Sequence, residues 1–199
     1  MQETLIDFMR HGEPVGGRRY RGDAIDDPLS DRGWEQMWQS VGEFAGWDAI
    51  VTSPLQRCSA FAGALAERLG VTLHVEPRFR EVGMGAWEGM SPEEIISSDP
   101  DAYAAFYLDP VNNRPPGCER LEGFAERVRV AGQALLDRFA GKHVLVVAHA
   151  GVIRASLGHV LQSPAVTWYR ARVDNAGLTR FCHGRYGVKL EFHNRPSAG

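Results

Sequence analysis

The chain has 199 residues, of which 44% are hydrophobic and 24% charged, with a formal charge of −3. That length and balance describe one globular domain with a real core and exclude a disordered or fibrous chain. With so little net charge there is no global field to hold nucleic acid or an anionic membrane, so any anion must be bound by a local cluster.

The first apolar run covers residues 4–9 and follows Met-Gln-Glu-Thr directly, without the basic start and apolar stretch of a secretory signal. No apolar run approaches the roughly 18 residues that span a bilayer, so a cytoplasmic protein without membrane contact is expected. The run ends in "MRHGEP", placing Arg10 and His11 side by side where a buried strand stops. Neither suits an apolar interior, because desolvating a charge is costly unless it is paired. Just beyond, Arg18, Arg19 and Arg21 form the densest basic spot, too small for a nucleic-acid groove.

Ser30 predicts a helix cap, with Trp34, Met37, Trp38, Val41 and Phe44 recurring three or four apart as one apolar, core-facing stripe. Residues 49–52 are the next strand-like run. Ser53 followed by Pro54 predicts a cap and a first-turn proline, with Phe61, Leu65 and Leu69 leading to Gly70 as a stop. Residues 71–76 form a third apolar run, and like the others it has the pattern of a strand covered on both faces. The segment 99–117, with Tyr103, Phe106, Tyr107 and several prolines, is expected to form a lid or side wall within an insertion at about 85–120. A helix is predicted from Leu121 to Phe139, a strand at 143–148, and a helix from Val152 to Leu161. Leu178–Cys182 and Val188–His193 flank His-Gly-Arg-Tyr-Gly and predict an antiparallel hairpin.

Apolar runs alternating with helical periods predict an α/β fold over residues 1–199. It is a single domain of three αβα layers, with a mainly parallel sheet, helices on both faces and a C-terminal antiparallel hairpin. The odd set Cys58, Cys118 and Cys182 lacks C-x-x-C spacing, which disfavours a disulfide framework or a zinc site.

In parallel sheets, ligands bind beyond the carboxyl ends of the strands. There the chain places Arg10 and His11 after the first run, Arg57 after the second, Glu81 after the third and His149 after the fourth. Any one of these is ordinarily a surface charge or a core histidine; the topology brings all five to one edge. Two guanidiniums suit phosphate oxygens and repel a metal cation, so neither metal nor cofactor is expected. A neutral His11 could attack phosphorus while Glu81 protonates the departing oxygen, with a cationic His149 beside the phosphate. Other phosphate chemistries fit poorly. No arginine stands six positions after any cysteine, there is no Gly-Lys-Ser/Thr loop, and "GMGAWEG" has misplaced glycines and is expected to be a turn.

"MRHGE", "SPLQRC", "REVGMGAWEG" and "VVAHAGVIR", in this order, resemble the histidine phosphatase superfamily, which includes the phosphoglycerate mutases. The resemblance covers nearly the whole chain. It implies His11 as the phosphorylated nucleophile, Glu81 as proton donor, Arg10, Arg57 and His149 as the phosphate pocket, and Arg21 and Gly22 in "YRGD" at the substrate. "DDPLSDRGWEQ" matches a helix start of the family that looks structural.

Among the branches, the chain looks closest to α-ribazole phosphatases, which implies a small phosphorylated metabolite such as α-ribazole 5′-phosphate. Cofactor-dependent mutases are similar but longer, which favours hydrolysis; mutase transfer and a non-catalytic phosphate-binding module are the alternatives. Cys118 and Phe61 depart from residues common in the family and leave the substrate contacts open. A homodimer is compatible with all of this.

Overall fold

Alternating side chains in the first strand divide the molecule into two cores. In the computed structural model, which describes residues 2–199, six strands form one sheet. They are β1 (Thr4–Arg10), β2 (Ala49–Thr52), β3 (Thr72–Val75), β4 (His143–Ala148), β5 (Leu178–Gly184) and β6 (Gly187–Arg195), in the order β3-β2-β4-β1-β5-β6. The first four run parallel; β5 is antiparallel to β1 and pairs with β6. The helices are α1 (Asp31–Val41), α2 (Gln56–Leu69), α3 (Pro92–Ser98), α4 (Pro100–Leu108), α5 (Leu121–Arg138) and α6 (Ala150–Val160). Among the described residues, no helix is long and apolar enough to cross a membrane.

Because strand side chains alternate between faces, Ile6, Phe8, Val144 and Val146 pack with Phe124 and Val128 of α5 and Val152 and Ile153 of α6. Met9, Leu145 and Val147 pack on the other face with Met37 of α1 and Phe61 and Leu65 of α2. Each such fully buried side chain stabilises the fold by about 1.5–3 kcal/mol. This is the predicted α/β architecture with helices on both faces and a C-terminal antiparallel pair.

Several local expectations are corrected. The third strand is not covered on both faces: Thr72, Leu73 and Val75 are exposed, because β3 is the sheet's edge. The first helix ends at Val41, so Phe44 leaves its stripe and packs on Trp47, ring centroids 4.6 Å apart. Trp34 and Trp38 are only half-buried, leaning on Phe61 at the core's margin. Ser53 does not cap α2; the N-cap is Leu55, whose side chain makes no capping bond. The last predicted helix starts at Ala150, two residues early, directly after His149. "GMGAWEG" is a turn as expected, a single 3-10 turn at Gly85–Trp87.

The chain leaves β1 toward β2 in one direction and leaves β4 toward β5 in the other, while β1 and β4 lie side by side. A crevice opens at such a reversal, outside the carboxyl ends of the strands.

Candidate functional site

Strand register makes the two histidines neighbours. Arg10 pairs with Ala148, so His11 and His149 are the next residues of adjacent parallel strands; the His11 amide donates to the Ala148 carbonyl at 3.0 Å. Their rings meet edge to face, centroids 5.2 Å apart. On the other side of β4 the Ser53 amide continues the ladder to Val147 at 3.0 Å. Strand pairing alone thus aligns three site residues drawn from three distant parts of the sequence.

His11 is buried, 6% exposed, yet forms part of a cavity wall. Its Nδ1 lies 2.7 Å from the Gly12 carbonyl. A carbonyl only accepts, so Nδ1 carries the proton and Nε2 keeps its lone pair. Burial, then Arg10 and Arg57, hold the imidazole well below the usual histidine range. The loop carrying it is fastened by the "DDPLSDRGWEQ" stretch. The Ser30 hydroxyl donates to the Glu13 carbonyl, and the Glu13 amide donates to Gln36 Oε1, both at 2.9 Å. Gly12 and Gly33 meet there, and a Cβ on Gly12 would lie 2.1 Å from the Gly33 carbonyl oxygen.

Arg57, in the first turn of α2, is 1% exposed and donates to the Ile25 carbonyl at 2.8 Å and the Gly22 carbonyl at 2.9 Å. Arg10 donates from Nη1 to the Val173 carbonyl at 2.7 Å. In both side chains Nε is buried without a partner among the described residues. Burial, and then Arg154 nearby, bring the Arg10 pKa down to about 10, so the guanidinium stays cationic. Glu81 reaches the start of α6: its Oε1 accepts from the Val82 amide at 2.9 Å and the Gly151 amide at 3.1 Å. A Cβ on Gly151 would lie 2.2 Å from that oxygen, which explains the glycine.

These residues line a cavity of about 590 Å³ whose wall also includes Arg21, Gly22, Tyr107, Arg154 and Tyr169. Its chemistry is that of an anion site: two guanidiniums in the wall, a helix N-terminus and a neutral imidazole with a free lone pair.

His149 differs from expectation. It is fully buried, is not part of the cavity wall, and stands behind His11 with Nε2 2.7 Å from the Ser53 hydroxyl. Burial, then Arg57 and His11, push its pKa well below the ordinary value. The protein's own charges therefore leave both imidazoles neutral and do not supply the expected cation. Arg21 lies at the cavity but is also engaged within its own loop. Although it forms part of the wall, it donates to Asp27 at 2.9 Å and to the carbonyls of Gly17, Arg19 and Val15, bracing its own loop. Gly22, at φ +55°, contributes the carbonyl that holds Arg57.

Of the aromatic residues expected in a lid or side wall, Tyr107 lines the cavity, while Phe106 is buried in the core. Tyr20 and Tyr107 share a hydrogen bond of 2.6 Å between hydroxyls. Sequence reasoning missed Ser53 as the partner of His149, Arg154, and the Val173–Asn175 wall before β5. Gly151 and Arg154 lay within "VVAHAGVIR"; the Val173–Asn175 loop carried no signal.

The fold and site together define an α/β protein with a histidine- and arginine-lined cavity at the switch point of its sheet. More specifically, the chain belongs to the histidine phosphatase superfamily (branch 1), whose family model matches residues 6–196. It is 30% identical over 191 residues to an adenosylcobalamin/alpha-ribazole phosphatase of Salmonella typhimurium, covering 92% of this chain and 93% of that protein. A bifunctional protein of Mycobacterium tuberculosis is 32% identical over 180 residues, covering 88% of this chain and 49% of its own length. The chain thus spans about half the length of that relative. A mycobacterial glucosyl-3-phosphoglycerate phosphatase superposes with a TM-score of 0.85 at 28% identity, covering 96% of this chain and 98% of that structure.

Proposed function

We propose that the protein is a metal-independent phosphomonoester hydrolase that acts through a phosphohistidine on a small phosphorylated metabolite. The observation that carries this reading is the fixed tautomer of His11, whose Nδ1 is tied to Gly12 while the guanidiniums of Arg10 and Arg57 share its cavity. Nε2 attacks phosphorus, and the ester P–O bond breaks as Glu81 gives its proton to the departing oxygen. The ionised Glu81 then takes a proton from water as that water attacks phosphorus; the P–N bond breaks and inorganic phosphate leaves. Arg10 and Arg57 hold the non-bridging oxygens throughout. His149, neutral on the protein's own charges, gains a proton more readily once a phosphate dianion lies close, and Ser53 fixes its ring.

Segment 85–120 is the side wall that selects the leaving group, with Tyr107 as its contact, and the whole chain works as one catalytic domain. The likeness to an alpha-ribazole phosphatase supports α-ribazole 5′-phosphate as a substrate; the likeness to a glucosyl-3-phosphoglycerate phosphatase supports a larger, sugar-bearing one. A cavity of about 590 Å³ has room for either alcohol beside the phosphate.

The test is phosphate release from α-ribazole 5′-phosphate, 3-phosphoglycerate and p-nitrophenyl phosphate with a chelator present, for the wild type and His11→Ala. Release by the wild type alone is expected. Activity retained in the variant refutes the phosphohistidine, and transfer between positions of phosphoglycerate without net phosphate release replaces hydrolysis with mutase chemistry.

A further inference from the structure

Glu81 sits on backbone that no regular element fixes. Residues 80–84 run between 3-10 turns at Pro77–Phe79 and Gly85–Trp87, and the strand before them, β3, is the exposed edge of the sheet. Left alone, such a segment has carbonyls without donors and no defined direction for its side chains.

One side chain from α5 supplies the donors. Arg127 Nη1 donates to the carbonyls of Arg78 at 2.6 Å and Arg80 at 2.8 Å, and Nη2 donates to the carbonyl of Glu81 itself at 2.9 Å. Nε and Nη2 donate to the two carboxylate oxygens of Glu119 at 2.8 and 2.7 Å, and that carboxylate accepts from the Gly83 amide at 3.3 Å. All five N–H donors of the guanidinium are engaged. The group also lies 4.6 Å from the centre of the Phe124 ring, and its side chain is 12% exposed. Arg127 is not part of the cavity wall, so it has neither a free donor nor a path to substrate.

We infer that Arg127, with Glu119, is a positioning residue that sets where the Glu81 carboxyl delivers its proton; this rests on the reading of Glu81 as the general acid. A planar guanidinium fork fixes three carbonyls at once relative to α5, which a flexible ammonium cannot do. From that backbone the Glu81 carboxyl reaches the Gly151 amide at the start of α6. General acids act only within hydrogen-bond reach, and a misplacement of about 1 Å costs on the order of 100-fold in rate.

The experiment compares an alkyl ester, glycerol 3-phosphate, whose alkoxide needs a proton to leave, with p-nitrophenyl phosphate, whose phenolate leaves without one. Arg127→Met is expected to lower kcat/KM on the alkyl ester by about 10- to 100-fold while changing kcat/KM on the aryl ester by less than about threefold, because kcat/KM reports the steps up to loss of the alcohol and not the later hydrolysis of the phosphohistidine that both esters share. Arg127→Lys, with three donors and no fork, falls between. In a Glu81→Gln background, Arg127→Met should add less than about twofold, since the two act through one group.

Glu119→Gln, a milder change, should show the same alkyl-selective loss and serves if the Arg127 variants do not fold. Equal losses of kcat/KM on the two esters, or additive losses in the double variant, overturn the inference. A Glu81→Gln enzyme without alkyl selectivity overturns the reading of Glu81 itself, and this one with it.

Discussion

Acid should destabilise this fold through two histidines that it keeps neutral. His11 and His149 are 6% and 0% exposed, and both lie well below the ordinary value of 6.5. Burial is the first cause for each, followed by the arginines beside them. In the unfolded chain each histidine takes up a proton as the pH falls through 6.5; in the native protein neither does. Their neutral burial therefore costs nothing above that pH, and stability is lost progressively below it.

Linkage sets the loss at about 1.4 kcal/mol per pH unit for each histidine. Between pH 7.5 and 5.5 the pair costs about 3 kcal/mol, out of the roughly 5–15 kcal/mol of a typical domain. Replacing His149 by Gln removes one titration, so the drop between the two pH values should shrink by about 1.4 kcal/mol whatever the variant's own stability. The measurement is urea unfolding of wild type and His149→Gln at both pH values in phosphate-free buffer. Lowered values at His74, His183 and His193 are common to the two proteins and cancel in the difference. Carboxylates such as Asp7 titrate at lower pH and do not enter this window. An equal drop in both proteins refutes the account of His149 as buried and neutral.

Two further substitutions separate site from scaffold. Gly151→Ala places a Cβ 2.2 Å from Glu81 Oε1 and must displace the carboxyl; we expect kcat on an alkyl phosphate to fall by about 100-fold with little change in Tm, and an unchanged kcat would refute this placement of Glu81. Asp7, 1% exposed, accepts from Trp47 and His143 and binds Arg180 through both carboxylate oxygens at 2.6 and 2.9 Å. Asp7→Asn uncouples that buried pair and should cost about 3–5 kcal/mol in urea unfolding while leaving KM unchanged.

Much of the architecture was legible because it rests on local periods. Short apolar runs marked the strands, three-to-four spacing marked the helices, and the switch between them implied a parallel sheet with helices on both faces. The same logic put Arg10, His11, Arg57, Glu81 and His149 at one edge, since strand ends are points in the sequence. Where the reading failed, a side chain had two possible partners and only packing chose between them. Ser53 carries every mark of a helix cap, yet its hydroxyl faces His149, because β2 and β4 are adjacent and in register. The third apolar run matches a covered strand, yet it is an edge, because strand order is a matter of topology rather than composition.

The sequence by itself determined the layers, the sheet edge on which the site gathers, and the residue types that suit a phosphoryl group. Only the tertiary structure decided which groups are free to act. Arg127 looks like any other arginine in the sequence, yet it holds the backbone of Glu81; Arg21 braces its own loop, while Arg10 and Arg57 line the cavity. The pKa of His149 is likewise set in space, lowered by burial and then by the neighbouring Arg57 and His11. Donor allocation and protonation depend on what surrounds a group in space, and for these residues the surroundings come from segments as many as 163 positions away, as with Arg10 and the Val173 carbonyl.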